Sequence, residues 1–568
     1  MTRLSLSSAI LAALATCNWA ISEDARLLHD DSECSAEDGC TLVALQRGAV
    51  KRTHDEEAEK PRSDRPTKSF TSSYRRPKMI ADSPASKFIV NKDCEKPPCS
   101  GQVHIQLGGP GEMVVVFASQ PESVAEPLVR FGKSAESLSS SAKGTTFTYS
   151  QLMYWNHQLF DPVIAGGREM STEEAAKLMS TDTWAYDKRT GWKYPSYRVI
   201  GPQQVEERMG WYKNPGERYD SPAIHTVVLT GLEPGVEYTY QVDNDGRKFS
   251  FKMPQEGQHY PYKVGLVGDI GQTPVSNSSF HLLQGLKPEL VLLTGDLSYA
   301  DGYYPRWDSY GIMAEPLNAR VPVMSCPGNH EYASAEAFKS YNARYPMPYA
   351  QSGSVDPNYW SRDIGPMHVV ALNSYAASGP DSFQFNWLKK DLEAFNRKRT
   401  PWLVVMMHAP FYNSNLGHLG EATVMMGDLE ELFFKHGVNV VLAGHVHSYE
   451  RTWPVYKNET TVCAPVYINI GDGGNREGAY AKWLPGEHGA LEPTWSAFRQ
   501  GAFGMAELEL SNETHAQFVW KRNACFDNGE VDFHPENCST SGDNSKNALK
   551  HDDISWIVRS AEACPNQA

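Results

Sequence analysis

The hydrophobic rhythm of the chain changes three times. Residues 21 to 100 are charged and short of aromatic side chains, centred on THDEEAEKPRSDRPTKSFTSSYRRPK, and bury too little apolar surface to offset the entropy of ordering. They are expected to be a disordered linker or pro-segment. From 101 to 255 the pattern becomes short β-rich runs, QVHIQL, EMVVVFAS, LVRFG, TTFTYS, HTVVLTGLEPGVEYTYQVD and KFSFKMP, with Gly and Pro turns between them. This predicts an antiparallel β-sandwich. An insertion at about 151–219 interrupts it, where Ser171 and Glu174 suit a capped helix and Trp155, Trp184, Trp192 and Trp211 are expected to pack on the sandwich or line a cleft. From 260 to 522 continuous apolar runs alternate with amphipathic stretches, predicting an α/β unit with sheets covered on both faces. Residues 523–568 read as a tail.

Within the α/β unit, the residues just after each apolar run carry the chemistry. YKVGLV leads into Gly268, Asp269, Ile270 and Gly271; PELVLLT into Gly295, Asp296 and Tyr299; VPVMSCP into Gly328, Asn329, His330 and Glu331. PWLVVMM runs into His408, and VNVVLA into Gly444, His445, Val446 and His447. Open α/β sheets build their sites just beyond the carboxyl ends of strands. Any one of these groups reads equally well as a turn, a helix cap or a structural histidine, but five strand ends bearing metal-ligating residue types point to one site. His445 and His447, two apart on a segment expected to be extended, should face the same side.

Length and charge narrow the functions. A chain of 568 residues implies two or three domains, and a formal charge of -15 with no Lys/Arg-rich stripe argues against a nucleic-acid duplex as partner. The first 20 residues carry one early Arg, an apolar stretch and small residues near Ala15, Cys17 and Ala20, as in a signal peptide; the stretch falls short of the ~20 residues that span a bilayer, and no second such run appears. Passage through the secretory pathway, to the extracellular space or a vacuole, is therefore expected. In that compartment thiols pair, so Cys34 with Cys40 and Cys94 with Cys99 could form local disulfides, and Cys463, Cys525, Cys538 and Cys564 could bridge the C-terminal region in unspecified pairs. Cys326 is the candidate for a buried free thiol. Sequons at Asn277, Asn458, Asn512 and Asn537 fit the same route.

The set GDIG, GDLSY, GNHE, VMMH and GHVH resembles the purple acid phosphatases of the calcineurin-like metallophosphoesterase superfamily, in their plant-type, high-molecular-weight form. The resemblance covers about residues 102 to 522, including LTGLEPGVEYTYQV, which is similar to a fibronectin type III strand and turn, and the later PVYINIGDGGNREG. It implies a fibronectin type III-like domain followed by a metallophosphoesterase α/β sandwich of two mixed sheets flanked by helices. It also implies a dinuclear centre in which Asp269, Tyr299 and His447 hold Fe(3+), Asn329, His408 and His445 hold a divalent Zn, Mn or Fe, and Asp296 bridges them. Oxygen donors suit the ferric ion, and imidazole with amide suits the divalent one. The implied reaction is hydrolysis of phosphate monoesters, small-molecule or peptide, by attack of a metal-held hydroxide. His330 and His418 are then the candidates for assisting the leaving group and gripping substrate, with Asn329 also on the substrate and Glu421 orienting His418. Many plant-type relatives carry a histidine where this chain has Gly417, which alters the substrate contacts. The alternatives are a phosphodiesterase or nucleotide pyrophosphatase on the same metal core, or an inactive secreted binding module; a homodimer is left open.

Overall fold

The computed structural model describes residues 100–120, 126–154, 184–186, 193–195, 213–242, 245–302, 304–332, 336–484, 493–525, 537–539, 551–560 and 562–567. The signal peptide, the segment to residue 99 with Cys34, Cys40, Cys94 and Cys99, and the expected helix at Ser171 lie outside these, as do Trp155, Trp192, Trp211 and the side chain of Trp184.

Residues 100–253 form two four-stranded antiparallel sheets. One has the order β1 (Ser100–Leu107), β2 (Met113–Ser119), β6 (Ala223–Leu229), β5 (Thr145–Phe147); the other β8 (Phe249–Lys252), β7 (Glu237–Val242), β3 (Leu128–Gly132), β4 (Ser140–Lys143). Val103, Ile105, Val115, Val129, Val227, Tyr240 and Phe251 meet between them, as alternating inward positions require. β1 is buried on both faces because its outer side packs on helix α2 (Pro305–Asn318) of the next unit. The seam is polar: Asp308 accepts from Gln102 Nε2 (3.0 Å), Arg344 Nη2 (2.9 Å) and Tyr219 OH (2.9 Å). All four are buried, so the pairing is complete where an unpaired charge would be costly.

The α/β unit contains two mixed sheets. The six-stranded sheet runs β11 (Val323–Ser325), β10 (Leu290–Leu293), β9 (Tyr262–Val267), β19 (Gly504–Leu510), β20 (His515–Arg522), β21 (His551–Val558), with β9 to β11 parallel. The seven-stranded sheet runs β12 (Trp360–Ile364), β13 (Met367–Ala371), β14 (Trp402–Met406), β15 (Val440–Ala443), β17 (Val466–Ile470), β16 (Tyr449–Thr452), β18 (Ser496–Gln500), with β13, β14, β15 and β17 parallel. Their inner faces share a core through Val264, Leu266, Leu292, Val404, Met406, Leu442 and Ile468. On the other side of the seven-stranded sheet, α3 (Phe383–Ala394) and α4 (Thr423–Lys435) bury Leu388, Leu392, Leu429 and Phe433. Helix α1 (Pro274–Leu286) starts from a capping box in which the Thr273 hydroxyl accepts from Ser276 N while Ser276 Oγ accepts from Thr273 N.

Two expectations change. Residues 551–558, expected within a tail, form the edge strand β21 in register with β20. HDDISWIV hides this because its alternation is inverted: Ile554, Trp556 and Val558 point to solvent and Asp553 points inward to Arg451 and Tyr449. The stretch around His445 and His447 is not extended, since His445 takes φ 71° and the chain bends there. The C-terminal cysteines pair as Cys463–Cys564 and Cys525–Cys538, and Cys326 is free and buried.

Candidate metal centre

The strand ends of both sheets meet at one pocket. β9, β10 and β11 deliver Asp269, Asp296 with Tyr299, and Asn329 with His330; β14 and β15 deliver His408 and His445 with His447. The turns that place them are tight. Asp269, Asp296, Tyr299 and His445 all have left-handed backbone, with φ of 52°, 53°, 50° and 71°, a conformation that Asp and His tolerate better than most residues and that concentrates at functional sites. Gly295 (φ 91°) has no alternative, because a Cβ there would sit 2.5 Å from His408 Nδ1. Glu331 braces the loops, accepting from the backbone N–H of Asp296, Leu297 and Gly328 at 2.8 Å each.

The donors fall into two groups. Tyr299 OH lies 2.9 Å from His447 Nε2 and 3.3 Å from Asp269 Oδ1, and the last two are 3.4 Å apart. Asn329 Oδ1 lies 3.0 Å from both His408 Nε2 and His445 Nδ1, and His408 Nε2 is 2.9 Å from Asp296 Oδ2. The two groups adjoin, with Asp269 Oδ1 3.9 Å from His408 Nε2. Each carboxylate has one oxygen pinned by backbone, Asp269 Oδ2 by His445 N (2.8 Å) and Asp296 Oδ1 by His330 N (2.9 Å), which turns the other inward. The imidazoles are aimed from behind as well: His408 Nδ1 bonds Thr294 O at 2.7 Å, and His445 Nε2 bonds Glu421 Oε2 at 2.6 Å.

Buried polar groups are normally satisfied, yet His447 Nδ1 has no hydrogen-bond partner, and Asp296 Oδ2 is approached by His408 Nε2 at 2.9 Å. Spacings near 3 Å are also what donors held about 2.1 Å from a common cation leave between them. The residues present therefore fit a metal pair. Proton affinities agree: burial opposes protonation of His408, but the Asp296 and Asp269 carboxylates outweigh it and raise it to about 9. Burial, Asp269 and Asp296 push the Tyr299 phenol well above its usual value. The carboxylates that favour a proton on His408 favour a cation in the same place, and cation binding would release that proton.

Around this core the substrate candidates divide. His330 Nδ1 bonds Asp301, which Arg476 also holds, so Nε2 faces the pocket 3.9 Å from Asp296 Oδ2 and 3.9 Å from Glu477 Oε1. Burial works against its charge, but Asp301, Asp296 and Glu477 keep His330 well above the usual imidazole value. The His418 ring lies against that of His445, tilted by 38° with ring centres 3.9 Å apart, and Glu421 bonds it at 2.9 Å through Nδ1. Glu421 therefore orients two imidazoles where one was expected. Sequence reasoning missed Asp301, Arg476, Glu477, Tyr375, which donates to Asn329 Oδ1 at 3.2 Å, and Tyr480. Tyr480 explains Gly417: a Cβ at 417 would meet the Tyr480 ring at 2.6 Å, and that ring stacks on His447. Of the sequons, Asn458, Asn512 and Asn537 are exposed, whereas Asn277 is half-buried on α1 with Ser278 and Ser279 fully buried.

Three family profiles match in order: Purple acid Phosphatase, N-terminal domain at 100–253, Calcineurin-like phosphoesterase at 262–449, and Iron/zinc purple acid phosphatase-like protein C at 464–532. Purple acid phosphatase 18 of Arabidopsis thaliana is 41% identical over 309 residues, 54% of this chain and 69% of that protein. The chain belongs to the purple acid phosphatase family. With that family it is a phosphatase, and other relatives agree: the Fe(3+)-Zn(2+) purple acid phosphatase 12 of Arabidopsis thaliana is 38% identical over 331 residues, 54% of this chain and 70% of that protein. Purple acid phosphatase PPD1 from yellow lupin (Lupinus luteus) seeds shares the fold, with a TM-score of 0.58 at 20% identity over 82% of this chain and 75% of that one. The phosphatase thus combines the family's N-terminal sandwich with its catalytic unit.

Proposed function

We propose that this purple acid phosphatase is a secreted acid phosphatase hydrolysing phosphate monoesters at a dinuclear Fe(III)–M(II) centre. Asp269, Tyr299 and His447 would hold the ferric ion, Asn329, His408 and His445 the divalent one, and Asp296 both. The observation that carries this reading is the inward turn of Asp269 Oδ1 and Asp296 Oδ2, each freed by a backbone bond to its partner oxygen. Bound there, the ions would supply Lewis acidity and make water a competent nucleophile in acid.

The chain's own residues do the rest. His330 presents Nε2 to the leaving oxygen, and the Asp301 bond to Nδ1 fixes the ring so that this nitrogen carries the transferred proton. His418, braced by Glu421, grips the phosphate from the His445 side. Secretion is supported by the two disulfides and the exposed sequons at Asn458, Asn512 and Asn537, which are the proposed glycan sites. No helix among the described residues is long and apolar enough to cross a membrane.

The visible absorption spectrum of the oxidised, iron-supplied protein tests the assignment. A ferric phenolate gives a purple band that disappears in Tyr299→Phe. A colourless protein carrying two metal ions would remove Tyr299 from a ferric ion and overturn the Fe(III) half of the reading.

A further inference from the structure

The same sheet that carries the metal ligands has a second polar end. The loop before β14 and the end of α4 before β15 border an open cleft of about 940 Å³, lined on one side by Arg559, Pro565 and Asn566. His408 and His445 follow the opposite ends of these two strands, so at least roughly 15 Å of sheet separates the cleft from the metal centre.

The cleft is rich in donors. Arg397, Lys398, Lys435, His436 and Arg559 line it, and among its described lining residues Glu513 is the one carboxylate. Arg397 is buried and spends its guanidinium on neutral oxygens: Pro401 O (3.0 Å), Asn439 Oδ1 (3.2 Å), His436 O (2.9 Å) and Gly437 O (2.7 Å). Arg559 is 9% exposed; it donates Nη1 to Glu513 O at 3.3 Å, while its buried Nε has no partner. His436 Nε2 is likewise buried and unpartnered. Among the described residues none of the four cations forms an ion pair, although Lys435 also faces the carboxyl end of α4, where a positive charge is favoured. Burial and the neighbouring Arg559 lower Arg397 to about 10, and burial lowers Arg559 against the pull of Glu513. Buried donors without acceptors, beside four cations that share one lining carboxylate, are costly unless something supplies the missing acceptors and charge. Phosphate oxygens match guanidinium and imidazole N–H groups in charge and geometry.

We propose that this cleft is a second anion site, which binds the phosphate groups of a small molecule away from the metal centre. The cleft's volume is that of a small-molecule pocket, so the source is either free inorganic phosphate or a compound bearing more than one phosphate. The wall at Pro565 and Asn566 is fastened by the adjoining Cys463–Cys564 disulfide and by Asn566 Nδ2 donating to Phe434 O at 2.6 Å.

Equilibrium dialysis of the metal-loaded protein against inorganic phosphate, at fixed ionic strength, counts the sites. Two equivalents are expected for the native chain and one for Lys398→Glu/Lys435→Glu, whose substitutions sit on exposed side chains and leave turnover of a phosphomonoester unchanged. Arg559→Gln, checked for an unaltered melting temperature, should weaken the second equivalent at least tenfold. The same stoichiometry and affinity in all three proteins would overturn the proposal. Methylenediphosphonate then separates the sources: displacing the second equivalent at a tenfold lower concentration than phosphate assigns the site to a multiply phosphorylated compound, and equal potency assigns it to the free ion.

Discussion

At the carboxyl ends of β14 and β15, His408 and His445 join carboxylates, a phenol and an amide in a pocket that fits cations; at the amino ends of the same strands, Arg397, Lys435 and Arg559 surround a cleft that fits an anion. Strands of five and four buried apolar residues separate the two. The contrast shows that the sheet fixes distance while the loops fix the sign of the potential. A net charge of -15 describes neither end, because the interactions are local and are screened within about 10 Å.

The contrast depends most heavily on the metal end. His408→Ala removes an imidazole bonded behind to Thr294 O and facing Asn329, and should reduce phosphomonoester turnover at least ~1000-fold with loss of bound metal by elemental analysis. Substantial turnover in a metal-replete preparation would show that this end does not work as described. His330→Ala should lower kcat by about 100-fold with little change in metal content, a proton-transfer loss readable against a substrate whose leaving group needs no proton.

A site outside both ends gives a smaller, pH-dependent signal. His368 on β13 bonds Asp363 Oδ1 at 2.6 Å and Asp391 Oδ2 at 2.9 Å; burial works against its charge, but these two bonds raise it to about 9. The folded state binds this proton more tightly than the unfolded chain, so the stabilisation is complete below about pH 6.5 and lost as pH rises through 9. Chemical denaturation of His368→Gln should lack this part of the alkaline decline, at most about 3 kcal/mol; identical pH profiles for the two proteins would remove His368 as its source. The smallest effect belongs to the anion end: Lys398→Glu/Lys435→Glu should keep kcat/KM within about twofold, since rim charges a strand length away are screened. A tenfold fall would mean that the two ends communicate.

Much of this was legible in the sequence because an apolar run followed by Gly and a polar residue is a strong local signal. Asp269, Asp296, Asn329 and His445 each follow such a run and its Gly, and His408 follows its run directly. Asp301 was not legible, since in YADGYY it reads as an ordinary turn residue, and only the folded chain brings His330 and Arg476 onto it. Arg476 and Glu477 sit in GDGGNREG, a stretch visible as a motif but mute about which strand it would face. Tyr480 and β21 failed for the same reason: their partners, Gly417 and β20, are set by tertiary packing rather than by spacing. The anion cleft gave no signal because its cations come from 397–398, 435 and 559, which no window along the chain joins.

The position of β9 has a consequence for how the protein is made. It leads into Asp269 and lies between β10 and β19, yet β19 begins only at Gly504. A ribosome needs on the order of 10 to 50 s to traverse that interval, and throughout it one edge of β9 has no hydrogen-bonding neighbour. Sequential, vectorial folding therefore cannot finish the six-stranded sheet; the emerging chain must be shielded by chaperones until nearly all of it is synthesised, and truncations before residue 510 are expected to aggregate rather than yield a smaller working enzyme.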